Sequence, residues 1–336
     1  MISDVRIYVI VGLFAAACIA LMMFNFIIIR YSKSKNAFSA GKNKKWRNIL
    51  CKHAIIASGK KSPCFLKHET FLLKNLCDAE NLVAYACALQ YLKDELPEAY
   101  RDYINKRHGT FQKLAEIYSR KTSVERACYA DFVCNFPQVT DDAYGPLVNT
   151  LVSYIEDPSV HCRTNALRAL CNIGNVQGVV NALQITNDKS LFVHNHILTN
   201  ELLGFKGDKE ILGKHLWKKS HCWSERITVS VIQFITSFSK HYRETFLPVL
   251  QNSSVDIEVR IAIIRYYGKY RYRLAHPILA ELANTTDSIA IEATAALNLC
   301  LVTDTTAARK STLSAPKNVQ YDNDLAKERD KDKKSA

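Results

Sequence analysis

The chain has 336 residues, 48% of them hydrophobic, with only 11 glycines and 8 prolines. That composition excludes a collagen-like, disordered or turn-rich chain and fits a helical protein with a sizeable core. The net charge of +13 is concentrated in residues 30–61, which hold ten Lys/Arg and no Asp/Glu. Residues 62–303 hold 26 basic and 25 acidic side chains, a near-neutral body for which no nucleic-acid partner is expected.

Residues 7–29, IYVIVGLFAAACIALMMFNFIII, carry no charge over 23 positions. A helix of that length spans roughly 35 Å at about 1.5 Å per residue, enough to cross a bilayer. A cleaved signal peptide would have a shorter apolar region, with its positive charge ahead of it. Here the cations follow, so one uncleaved transmembrane helix is expected. Excess Lys/Arg stays on the cytoplasmic side, which places residues 1–6 outside and the body in the cytoplasm. Residues 30–61 read as a basic juxtamembrane linker. Arg30, Lys33, Lys35, Lys42, Lys44, Lys45 and Arg47 are candidates for contact with anionic lipid, at about 1 kcal/mol per basic residue near a charged surface. Trp46 is a candidate for an interfacial contact.

Residues 62–120 read as helices: ETFLLKNLC, AENLVAYACALQYLK and one longer helix from about Glu98 to Tyr118. They are expected to form an N-terminal cap or a divergent repeat.

From residue 121 a unit recurs. DPSVHCRTNALRALCNIG holds Arg163, SVDIEVRIAIIRYYG holds Arg260, SVERACYADFVCNF holds Arg126 and CWSERITVSVIQFI holds Arg226. The double spacing between Arg163 and Arg226 has its midpoint at His194, and one further period lands on Ile291. The period is 31–37 residues, as expected of a solenoid. Three, four and eight residues after each reference position the residues are mostly apolar; two, five and nine residues after, mostly polar. A helix places those sets on opposite sides. Shorter helices at 176–185, 208–219, 242–252 and 274–284 complete antiparallel hairpins over 121–303. A hairpin cannot bury its apolar stripe alone, so the units must stack. Residues 304–336 are mixed in charge without apolar periodicity and are expected to be disordered.

DPSVHCRTNALRALCNIG and VDIEVRIAIIRYYG resemble the second helix of HEAT repeats, especially the short type of bilin-lyase-like proteins: an acidic turn, a Val-Arg-like step, small apolar residues and a closing Gly. The resemblance covers about 120–300 and departs at His194 and Ile291. It implies an all-α solenoid of HEAT-like antiparallel helix pairs, here preceded by a single transmembrane helix. It also implies that the second helices line the concave side. Their polar columns are then expected to form one ridge for a protein partner, made by Asn165, Arg168, Asn172, His196, Thr199, Arg265 and Lys269. Arg168 and Arg265 are the expected hot spots, because Arg is enriched there and grips carboxylates with two hydrogen bonds. The arginines at the reference positions are expected to be structural, Arg163 pairing with Asp157 or nearby carbonyls.

No catalytic constellation, metal site or cofactor is implied. Cys51, His53, Cys64 and His68 lack zinc-site spacing, and His194 and His196 point to different helix faces. His221-Cys222 has no orienting acid. The eleven cysteines, without any C-x-x-C, read as thiols of a reducing compartment. The favoured function is a membrane-anchored scaffold for a protein partner, such as a membrane glycosyltransferase. A HEAT-type lyase-like enzyme and an anionic-lipid-binding protein are the alternatives.

Overall fold

The computed structural model describes residues 21–23, 40–51, 65–136, 145–285 and 287–299. Among them all regular structure is helical, as a helical-repeat solenoid requires. Of the apolar run 7–29 only Leu21, Met22 and Met23 are described; they are helical and exposed. The rest of the expected anchor and the tail 304–336 lie outside the described residues. Among the described residues no helix is long and apolar enough to cross a membrane.

The chain divides into two compact units, one through Phe234 and one from Ile235. In the first, α1 (40–51) is followed by α2 (Phe65–Leu76), α3 (Ala79–Glu95), α4 (Pro97–Asn105), α5 (His108–Ser119) and α6 (Ser123–Asn135). Next come α7 (Pro146–Ser153), α8 (Val160–Ile173), α9 (Val176–Asp188), α10 (Asn195–Leu203), α11 (Lys209–Lys218) and α12 (Glu225–Phe238), within which the boundary between the units falls. The second unit holds α13 (Arg243–Gln251), α14 (Ile257–Lys269), α15 (His276–Ala283) and α16 (288–299).

Polar caps start several of these helices. Asp78, Asn175, Asp208 and Asp256 each accept a backbone N–H in the first turn of the helix they precede. Thr122 and Glu125 form a reciprocal capping box on α6. Gly174, at φ +78°, ends α8, and its N–H reaches the carbonyls of Leu170 and Cys171.

Packing in the first unit forms two rows. α2, α5, α7, α9 and α11 contact one another in that order, as do α3, α6, α8 and α10. This is the architecture of stacked hairpins, and it reaches back to α2–α3, earlier than the recurring arginines mark it. The single helix expected from Glu98 to Tyr118 is instead α4 and α5. The break falls at Lys106-Arg107, between Asn105 and Gly109, two residues of low helix propensity.

The linker expectation for 30–61 does not describe α1. Trp46 and Leu50 are buried. The Trp46 ring lies 5.3 Å from Tyr85 and 5.9 Å from Phe71. Positions 43, 46 and 50 form an inward stripe, while Gly41, Lys44, Lys45 and Asn48 are exposed, so α1 is an amphipathic helix covering the start of the stack. Trp46 serves this core and not an interface. Beneath it, Tyr85, Phe111 and Phe132 continue the aromatic cluster. The Tyr85 and Tyr103 hydroxyls lie 3.1 Å apart, and burial pushes the Tyr103 phenol up to about 12.

The last repeat is off by one residue. Ile291 is 74% exposed, whereas Ile289, Ala293 and Ala296 are buried. Residue 290 therefore occupies the reference position.

Candidate functional site

The polar columns do not form a free ridge. All but His196 of the seven bond one reference helix to the next. In the first unit Asn165 donates to the Ala127 carbonyl at 3.2 Å, and Asn172 to the Cys134 carbonyl at 3.0 Å, both on α6. Arg168 grips Glu201 of α10 in a bidentate ion pair with N–O distances of 2.8–3.0 Å. Thr199, buried, donates to Gln233 of α12 at 2.9 Å. In the second unit Arg265 grips Glu292 of α16 in the same bidentate way, and Lys269 donates to the carbonyls of Thr236 and Ser237. His196 is exposed and meets Asn200 on its own helix.

The physical reason is the distance between neighbouring helices. At roughly 8–10 Å between axes, side chains at the edges of the buried face reach the next helix before they reach open solvent. The pattern recurs: the fifth position of one unit bonds to the seventh of the next in both Arg168–Glu201 and Thr199–Gln233. The grip expected of Arg168 and Arg265 forms, but on carboxylates of the same chain. Glu201 and Gln233, the partners, were not singled out from sequence. Their signal is a polar residue at the seventh position, amid apolar columns.

Of the reference arginines, Arg163 and Arg126 make contacts within the fold. Arg163 is buried and donates to the carbonyls of Asp157, Pro158 and Phe192 at 2.8, 3.1 and 3.0 Å. The Asp157 carboxylate is occupied elsewhere. It accepts the Ser159 N–H at 2.8 Å, and its other oxygen lies 2.8 Å from Nη2 of Arg126, as an ion pair and not an aligned hydrogen bond. Arg226 lies over the Phe192 ring.

Of the candidate lipid contacts, Lys44, Lys45 and Arg47 are exposed on α1, while Lys42 pairs with Glu80 at 2.7 Å. Arg30, Lys33 and Lys35 lie outside the described residues. Cys51 is the last described residue of α1, and His53 and Cys64 lie outside the described residues. His194 caps α10 through Nδ1. Cys222 is exposed in a short turn, its carbonyl accepting from Asn187. Among the described residues no three His, Cys, Asp or Glu side chains stand together as metal ligands.

Among the described residues, one concave feature is a groove of about 330 Å³ between α3 and α6. Leu82, Val83, Cys87, Phe132 and Phe136 form its apolar wall, and Asp131 stands at its edge. Val83 is 50% exposed there. The sequence signal is LVAYACAL, residues 82–89, eight apolar residues in a row. That is apolar surface on more sides than one core contact needs.

The described thiols range from buried to exposed, with Cys51, Cys77 and Cys128 between the two. Cys134, Cys162 and Cys171 are buried, whereas Cys87 and Cys222 are exposed. Burial pushes the thiol of Cys134 up to about 11 and that of Cys162 to about 12, and raises Cys171 as well. A thiolate-directed reagent at pH 7.5 is expected to modify Cys87 and Cys222 within minutes and to leave these three unmodified until denaturant is added. Peptide mass spectrometry reads this directly; modification of Cys162 in the folded chain as fast as Cys87 would contradict its placement.

No family model, no curated protein and no solved structure matches this chain.

Proposed function

We propose that the chain is a membrane-tethered scaffold of HEAT-like repeats that presents the α3–α6 groove to a protein partner at the cytoplasmic face of a membrane. The exposed Val83 in an apolar groove carries this reading. An unpartnered apolar surface beside a polar rim is what a docking site needs. The tether is supported by the charge-free run 7–29 and the ten cations that follow it. Confinement to a bilayer raises the effective concentration toward other membrane proteins, which favours a membrane-associated partner. By the resemblance to anchored HEAT proteins, a glycosyltransferase or similar membrane enzyme is the class proposed.

The test uses the full chain in its native membranes, with a photo-crosslinking residue at position 83 or, as a control, at the exposed Lys214 of α11. Position 83 is expected to give one discrete adduct with a membrane protein, and Val83→Glu with the crosslinker at position 87 is expected to lose it. No adduct, or the same adducts from position 214, would refute the groove as the docking site.

A further inference from the structure

We infer that the groove between α1 and α3 seats the phosphate headgroup of an anionic membrane lipid. The groove has a volume of about 420 Å³; α1 contributes Asn43, Lys44 and Arg47, and α3 contributes Cys87, Ala88 and Tyr91. No described carboxylate lines it. Lys44 and Arg47 are exposed, and neither pairs with a described carboxylate, whereas their neighbour Lys42 is neutralised by Glu80. Two cations therefore face one cleft over an apolar floor, without a counter-charge.

Their placement is fixed. The Arg47 guanidinium sits 4.4 Å from the centre of the Tyr91 ring, and α1 itself is held by buried Trp46 and Leu50. Stacking on a ring occupies the guanidinium face and leaves its N–H edge for a phosphate, which Arg binds with two hydrogen bonds and Lys as a point charge. The floor of Cys87 and Ala88 suits the glycerol and upper acyl carbons beneath the phosphate. The sequence also supplies the source. The apolar run ends at residue 29 and the described part of α1 starts at residue 40, so the ten residues between them reach at most about 35 Å. A helix tied that closely to a bilayer meets headgroups before it meets free anions. This inference rests on the tethered reading above, and it gives the tether a second function: the bound lipid would fix how the first unit stands on the membrane.

Lys45 makes the test selective. It is exposed on the same helix but does not line the groove. The full chain is extracted in mild detergent from membranes washed with carbonate, and retained lipid is counted by native mass spectrometry. The unaltered chain and K45E are expected to retain one anionic phospholipid. K44E/R47E is expected to lose it, by about fivefold in affinity for each cation removed. Should charge reversal disturb α1, the neutral pair K44Q/R47Q makes the same comparison. Equal retention by K44Q/R47Q and the unaltered chain overturns the inference. So does equal loss in K45E, which would mean diffuse attraction, or displacement of the lipid by equimolar inorganic phosphate. Release of the chain by carbonate contradicts the tether alone. The groove is then tested on the released chain with short-chain phosphatidylserine, and failure to bind it there overturns the groove.

Discussion

Asp157→Ala is expected to cost about 2–4 kcal/mol, somewhat less than breaking a fully buried ion pair, because Arg126 keeps some solvent. The Asp157 side chain is fully buried and that of Arg126 is 25% exposed. The carboxylate does two things at once. It compensates Arg126, which projects from α6, and it accepts the Ser159 N–H at the start of α8. Removing it leaves a half-buried guanidinium facing an apolar methyl and frees the turn that begins the next helix. Asp157→Asn keeps the acceptor and loses the charge, so it should fall between the two. Chemical denaturation followed by circular dichroism measures both. A loss below about 0.5 kcal/mol for the alanine variant, the size of an ordinary surface change, would show that the contact carries little.

Gly174→Val is expected to cost about 3 kcal/mol or more, from left-handed strain plus a backbone clash. At φ +78° a side chain is strained whatever the space around it. Here there is also no space: a Cβ at Gly174 would stand 2.8 Å from the backbone nitrogen of Gly207. That contact joins the turn after α8 to the turn before α11, and the Lys206 N–H to Cys171 carbonyl bond at 3.0 Å runs beside it. Neither partner is the end of a flexible side chain, so neither can swing away. Gly109 is the control. Nothing lies within 4 Å of its Cβ position, and Gly109→Ala in a helix is expected to be neutral or stabilising by about 0.5 kcal/mol. Equal thermal shifts for the two substitutions would contradict the close approach at Gly174.

Gly174 shows how far the sequence could be read. A Gly closing an Ala/Leu-rich run is a recognisable helix stop, and DPSVHCRTNALRALCNIG gave both ends of α8. The touching partner, Gly207, was not legible, because nothing local marks a backbone approach made by another repeat. The polar columns show the same divide. Helical period separated Arg168 and Asn172 from the buried face, but period alone does not say what stands opposite. The neighbouring helix stands there, with Glu201 and the Cys134 carbonyl as partners. Arg163 was readable as structural because its acceptors lie mainly in its own turn. Trp46 was misplaced because the basic residues around it dominate the composition of that stretch, while the inward stripe of residues 43, 46 and 50 is only three positions long. The α3–α6 groove was visible only as an excess, the eight apolar residues of LVAYACAL, with no indication of which of them would remain uncovered.

The central claim is that the polar columns hold repeat to repeat, so that partner binding falls to the groove. A double-mutant cycle on Arg168 and Glu201 in the full chain tests it most directly, using Arg168→Ala, Glu201→Ala and the pair. The Arg168 side chain is 42% exposed and that of Glu201 is 11% exposed, so the pair is partly screened. A coupling energy of about 1–2 kcal/mol is predicted for this bidentate contact, with crosslinking from position 83 unchanged in Arg168→Ala. A coupling near zero, together with loss of the position-83 adduct in Arg168→Ala, would return the arginine to a binding surface and contradict the account.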